Sequence, residues 1–354
     1  MISKLEFQDY RCFNSLILED IRRVTLVSGS NSVGKSSLLE GIFLFIDRFS
    51  QDVFLKLNGF RGYHQVSMTP AMLWEHLFYN GSKDKPLEIS LTRNGLRETV
   101  KIIKDIQASV SIPMDQNIYA SSQLIMQSAA INYPLRINYL SAALNLSASY
   151  IIASDGVRLH STDDIKCDRQ FVQYISPRIS MTSATLTDWF SRIKLEGKAD
   201  QFMSVLRRFD LRICDLSVIS LNGINYLYTD FGNGHMHPLN LLGDGINRFM
   251  AVMIAMIANP GSVLLIDEID TGIHYSFFSD LWENIGLVAE ETGCQIFATT
   301  HSFECIKGML SVNNGGNEDI FRFVRLDNVE GTIIPKIYSR EALEFAVINN
   351  WEVR

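Results

Sequence analysis

Eight consecutive residues carry the first chemical signal in this chain. Gly29-Ser30-Asn31-Ser32-Val33-Gly34-Lys35-Ser36 fits the pattern G-x-x-x-x-G-K-S/T. At that spacing a glycine-rich turn can close backbone N–H groups around phosphate oxygens. Lys35 would reach the β- and γ-phosphates of a nucleotide, and the Ser36 hydroxyl would ligate Mg²⁺. A plain Gly/Ser turn would leave both residues unexplained.

The loop needs a strand before it and a helix after it. Val24-Thr25-Leu26-Val27 predicts the buried strand, and Ser36 to Ile46 predicts an amphipathic helix. The positive end of that helix would face the phosphates. A second element, Val263-Leu264-Leu265-Ile266-Asp267-Glu268, reads as a strand buried on both faces with two carboxylates at its C-terminal end. Asp267 would hold the metal's shell through water, and Glu268 would orient and polarise an attacking water. Acidic residues often simply end strands; the phosphate loop gives this pair its meaning. Thr299-Thr300-His301-Ser302 follows the next predicted strand and would bring His301 near the γ-phosphate. Gly243-Asp244-Gly245 opens a further helix, whose free N–H groups suit a phosphate or serve only as a cap.

Composition narrows the class. At 354 residues the chain has room for two domains, or for one large domain with an insertion. Hydrophobic and charged fractions of 47% and 20% are those of a soluble globular protein. A net charge of −7 gives the whole chain no electrostatic footprint for nucleic acid, which a local basic face would still permit but nothing requires. Cys12, Cys167, Cys214, Cys294 and Cys305 are scattered without a C-x-x-C pair, as suits thiols in a reducing compartment. The N-terminus alternates like a strand and has no signal-peptide core, and no apolar run is long enough to span a bilayer. A cytoplasmic protein without a membrane partner is expected.

Further elements follow from periodicity. Strands are predicted at Ile2 to Phe7 and Leu16 to Leu18, and a short helix at Pro70 to Phe78. Asn94-Gly95 and Asn222-Gly223, each between alternating apolar runs, predict two hairpins. Residues 111–148, rich in Ala, Ser, Leu and Gln, read as loop and helix. Phe171 to Ser176 reads as a strand stopped by Pro177, and Thr185 to Arg208 as helix broken at Gly197. Beyond Ile246 the pattern alternates helix and strand, closing with Phe321 to Leu326 and Thr332 to Ile337.

Taken in order, Tyr10-Arg11-Cys12-Phe13, the phosphate loop, a long insertion, Gly-Asp-Gly-Ile-Asn-Arg, Leu-Ile-Asp-Glu-Ile-Asp-Thr-Gly-Ile-His and Ala-Thr-Thr-His-Ser resemble the ABC-type ATPase heads of the SMC/RecF/OLD group. The chain is most similar to the AAA-family ATP-binding proteins of bacterial defence and mobile-element loci. The matching motifs spread over most of the chain outside roughly residues 50–205. The resemblance implies an α/β P-loop NTPase fold of ABC/SMC-head type with a largely helical insertion. The head would comprise residues 1–110 and 206–354, and the insertion residues 111–205. Arg11 would contact nucleotide. Gly29, Asn31, Gly34, Lys35, Ser36 and Ser37 would form the Walker A loop, and Asp267 and Glu268 Walker B. Gly243, Asp244 and Gly245 would form the signature loop, which engages ATP bound by another protomer. Asp270 would lie in the D-loop at the dimer interface, with His301 as the switch histidine. Leu241 and Leu242 stand nearest the place of the serine that precedes the signature glycines in many relatives. Trans engagement would then be weaker or rest on backbone N–H groups. Gln65 and Gln173 are the two candidates for the Q-loop glutamine.

About fifty residues follow His301, too few for a nuclease domain of ordinary size. The expected protein is therefore an ATPase, hydrolysing ATP with Mg²⁺, that dimerises or forms a higher homo-oligomer. It would regulate a separately encoded effector, a nuclease or toxin, in anti-phage defence. The alternative is a RecF-like DNA-repair ATPase that binds DNA ends or gaps.

Overall fold

The computed structural model describes residues 1–63, 69–82, 85–106, 133–153, 156–161, 165, 170–177, 181, 183–209, 212–241, 243–312 and 320–354. The chain opens with strands β1 (Ile2–Tyr10), β2 (Phe13–Leu18) and β3 (Val24–Gly29), then helices α1 (Lys35–Ile46), α2 (Val53–Phe60) and α3 (Pro70–Leu73). Strands β4 (Leu87–Arg93), β5 (Leu96–Lys104), β6 (Leu135–Leu140), β7 (Asn145–Ala153) and β8 (Gly156–Ser161) come next, followed by β9 (Val172–Ile175). Helices α4 (Ser183–Leu195) and α5 (Ala199–Phe209) lead into β10 (Asp215–Leu221), β11 (Ile224–Asp230) and β12 (Met236–Pro238). The last part runs α6 (Asp244–Ala258), β13 (Val263–Ile266), α7 (Phe278–Thr292), β14 (Gln295–Thr299), α8 (Phe303–Ser311), β15 (Phe321–Val329), β16 (Thr332–Tyr338) and α9 (Arg340–Ile348).

These strands form three sheets. The central one has the order β16-β15-β3-β14-β13-β9, parallel except for the β15–β16 hairpin. Strands β3, β14 and β13 at its centre are buried along their whole length. Both faces are covered, as parallel sheets require: Val263 and Leu265 join one apolar cluster, Leu264 and Ile266 the other. The first cluster fills the space between this sheet and an antiparallel sheet, β2-β1-β4-β5-β6-β7-β8. The second holds the packing of α4 to α8 on the far face. Strands β10, β11 and β12 make a small third sheet.

Helix α1 lies between the two large sheets, touching β3, β9, β13 and β14 on one side and β4 on the other. Gly41 permits this, because a Cβ there would stand 2.3 Å from the Phe7 ring of β1. Both Asn-Gly hairpins form, with Asn94, Gly95, Asn222 and Gly223 all at positive φ, the geometry of a type I′ turn. Residues 183–209 are helical as expected, broken around Gly197.

Two expectations need correction. The reading of 111–205 as mainly helical fails at 133–161, where β6, β7 and β8 extend the antiparallel sheet. The inward face of β7 alternates (Leu146, Ala148, Tyr150, Ile152), but Ser and Ala at intervening and inward positions blunt the signal. Within the same stretch, β9 pairs in parallel with β13 and so belongs to the central sheet rather than to an insertion. Residues 107–132 lie outside the described residues, as do Gln65, Cys167 and Leu242. The four described cysteines are free. Among the described residues no helix is long and apolar enough to cross a membrane.

Candidate active site

The phosphate loop leaves the buried end of β3 through Gly29, at φ 138°. A Cβ there would fall 2.3 Å from the Leu326 carbonyl oxygen, so only glycine lets the chain turn beside β15. Gly34, at φ 95°, starts α1, and a Cβ on it would meet Cys12 Sγ at 2.5 Å and the Phe13 ring at 2.8 Å. The loop is thereby pressed against the turn between β1 and β2. Asn31 is exposed at its tip.

Lys35 Nζ donates to the carbonyl oxygens of Gly29 at 2.7 Å and Ser30 at 2.9 Å. Burial lowers its pKa to about 8, against the opposing pull of Asp267, Glu268 and Asp270. A poorly solvated cation is held where phosphate oxygens would restore the partners it lacks.

Asp267 stands at the end of β13 and accepts three hydroxyls. Ser36 Oγ donates to Oδ2 at 2.8 Å, Tyr174 Oη to the same oxygen at 3.1 Å, and Thr299 Oγ1 to Oδ1 at 2.6 Å. Ser36 and Asp267, 231 positions apart in the chain, are thus in direct contact. Together they present the few oxygen ligands with which a protein holds Mg²⁺ when phosphates complete its shell. Tyr174 keeps its proton, since burial and the Asp267 charge raise its pKa well above the usual phenol value. The Arg248 guanidinium donates to the Asp267 carbonyl and so ties α6 to the end of β13.

Glu268 has φ 49°, a left-handed conformation that costs a non-glycine residue about 1–2 kcal/mol. Its N–H donates to Thr299 Oγ1 at 2.8 Å, and its carboxylate accepts from Thr271 Oγ1 at 3.3 Å. Asp270 accepts from Thr300 Oγ1 at 2.6 Å. Exposed His301 follows β14 directly, and its pKa is lowered by partial burial and by the Lys35 charge. Strands β3, β13 and β14 therefore deliver Lys35, Asp267, Glu268, Asp270 and His301 to one end of the central sheet.

The remaining expected residues sit differently. Arg11 is turned inward, its side chain 6% exposed, and pairs with Glu40 of α1 at 2.7 Å. Arg61 pairs with the same carboxylate at 3.0 Å and reaches Ser37 Oγ at 3.3 Å. Arg11 thus meets the Walker A helix through Glu40. Gly243 and Asp244 are exposed at the start of α6, and Gly245 is half-buried. A Cβ on Gly245 would come 2.5 Å from the Gly272 carbonyl oxygen, so this loop packs against the segment after Asp270. Gln173 Nε2 donates to the Tyr174 carbonyl at 3.0 Å, not to Asp267.

Sequence reasoning did not assign Tyr174, Arg61, Arg248 or the Thr299 hydroxyl to the site. Thr299 and Arg248 lie inside quoted motifs and could have been found there. A lone tyrosine in an apolar strand reads as core, and nothing in its neighbourhood says otherwise.

Comparison with known proteins agrees with this geometry. Residues 128–305, just over half of the chain, match the family described as "AAA domain, putative AbiEii toxin, Type IV TA system". An "ATP/GTP phosphatase" of Helicobacter pylori (strain ATCC 700392 / 26695) is 20% identical over 98% of this chain and 97% of its own length. Among solved structures, an SMC head bound to the C-terminal winged-helix domain of ScpA matches with a TM-score of 0.54. It is 12% identical, over 96% of this chain and 98% of the other. An Smc head with an extended coiled coil, bound to the C-terminal domain of ScpA derived from Pyrococcus furiosus, matches with a TM-score of 0.51 at 10% identity, over 99% of each chain. The fold is that of an SMC-head P-loop NTPase. With its phosphate loop and paired carboxylates set on that fold, the chain belongs to the AAA-domain family and is an ATPase.

Proposed function

We propose that the chain binds ATP with Mg²⁺ at this site and dimerises around it, so as to control a separately encoded effector in anti-phage defence. The observation that carries the reading is the direct contact of Ser36 with Asp267, with Lys35 and Glu268 beside them. Bound Mg²⁺ would supply charge neutralisation on the phosphates, held by Ser36 directly and by Asp267 through water. Lys35 binds the β- and γ-phosphates, Glu268 polarises the water that attacks, and His301 meets the γ-phosphate. The name of the Helicobacter pylori relative, ATP/GTP phosphatase, supports hydrolysis.

The Gly243–Gly245 loop, exposed at Gly243 and Asp244, supports a shared site. In this reading its N–H groups engage the ATP of a second protomer, with Asp270 crossing the interface and hydrolysis reopening it. The head is formed by residues 1–110 and 206–354 together with β9. A family described by a putative toxin of a type IV toxin–antitoxin system supports a place in such a system. Nucleic acid is not required.

The test is the solution mass of a Glu268→Gln variant measured by light scattering. It should be monomeric alone and dimeric with ATP and Mg²⁺. A variant that stays monomeric with both overturns the shared site.

A further inference from the structure

Tyr174 comes from β9, the edge strand of the central sheet, in register beside Leu265 of β13. Its hydroxyl shares Asp267 Oδ2 with Ser36, at 3.1 and 2.8 Å, while Thr299 takes Oδ1 at 2.6 Å. An ionised carboxylate offers about four acceptor directions, two on each oxygen. The three hydroxyls fill both directions on Oδ2 and one on Oδ1. A single direction is left, on Oδ1. The tyrosine ring is itself held: it stacks on Phe60 with centroids 4.1 Å apart and planes 6° from parallel. The next residue, Arg61, bonds Glu40 and Ser37 on α1. The end of α2 therefore touches the phosphate-loop helix and the tyrosine on Asp267 together. The polar group that meets Asp267 from β9 is a phenol, not a glutamine amide.

We propose that Tyr174 is a positioning residue of the metal site. Its hydroxyl fixes the Asp267 carboxylate so that only Oδ1 faces the water shell of a bound divalent cation, and Phe60 fixes the ring. This rests on the nucleotide-site reading above.

Tyr174→Phe removes the hydroxyl and keeps the stack. Affinity for Mn²⁺ in the presence of the non-hydrolysable analogue AMPPNP is read from loss of the free-ion electron paramagnetic resonance signal. Binding of AMPPNP in EDTA is read by equilibrium dialysis. Partners that orient a metal ligand typically contribute ten- to a hundredfold in metal affinity. Mn²⁺ binding should weaken about tenfold, with metal-free binding changed less than about twofold. Unchanged or tighter Mn²⁺ binding overturns the proposal. An equal loss of metal-free binding also overturns it, because a general disturbance of the site would do that. Phe60→Leu keeps the hydroxyl and loosens the ring, so a smaller loss of Mn²⁺ affinity should appear; full wild-type affinity refutes the role of the stack. Lys35→Ala separates the two readings. If that variant binds AMPPNP like wild type, the nucleotide site itself is wrong. If binding is lost there while Tyr174→Phe holds Mn²⁺ normally, only the role of Tyr174 falls.

Discussion

The two large sheets share an apolar interface but divide the labour unequally. In the central sheet β3, β14, β13 and β9 run parallel, so their C-terminal ends all meet at one edge. Gly29, His301, Asp267 and Tyr174 lie at or near those ends, and the site assembles where the strands stop. In the antiparallel sheet, successive strands end on opposite edges and most connections are short. That sheet reaches the site through the β1–β2 turn, with Arg11 on Glu40 and Cys12 against Gly34. Parallel pairing concentrates chemistry, and the antiparallel sheet serves as the wall that α1 leans on.

If this division is right, the largest effect should come from the residue that joins the two halves. Glu40 is 1% exposed and holds Arg11 and Arg61 at once. Glu40→Ala leaves the buried Arg11 charge uncompensated and should lower unfolding free energy by about 3–5 kcal/mol in a denaturant melt. A loss below about 1 kcal/mol would mean that the β1–β2 turn is held by its aromatic packing instead. A smaller effect, of another kind, is expected inside the site. Lys35→Ala should weaken ATP binding about a hundredfold, the worth of charged hydrogen bonds to phosphate. Its unfolding midpoint should hold or rise, since a desolvated cation is removed; a large drop would make Lys35 structural. The smallest effect belongs to the wall. Asn94→Ala, at φ 51° in the β4–β5 turn, should reduce stability by about 1 kcal/mol and leave ATP affinity untouched. A change in affinity there would show that the wall does more than support.

How much could be read from the chain depended on how local each signal was. The phosphate loop, the strand ending in Asp267-Glu268 and both Asn-Gly hairpins are set by neighbours in sequence, and all are found. In β7 serine and alanine replace larger residues and hide its alternation, whereas β6 alternates cleanly (Leu135, Ile137, Tyr139) but over only six residues. Helix α9 was missed for a related reason: of its nine residues only Leu343 and Ala346 are buried, so its periodic face is thin. The placement of β9 beside β13 is a tertiary choice, and with it the meeting of Tyr174 and Asp267. Arg11 could be placed in its turn by the motif, but its inward rotation depends on Glu40, 29 positions later in the chain.

Cys12 lies half-buried against Gly34, where the phosphate loop has no side chain to give way. Its thiol sits 2.5 Å from where a Cβ of Gly34 would be, and burial makes it a weak acid. A group attached to that sulfur on the side of Gly34 would press on the loop. An alkylating reagent would react slowly and close the site once it had, whereas a bound nucleotide would shield the thiol. The contact that makes Gly34 obligatory would also make Cys12 a reporter of the loop's position, readable by the mass of the alkylated chain without any change to the sequence.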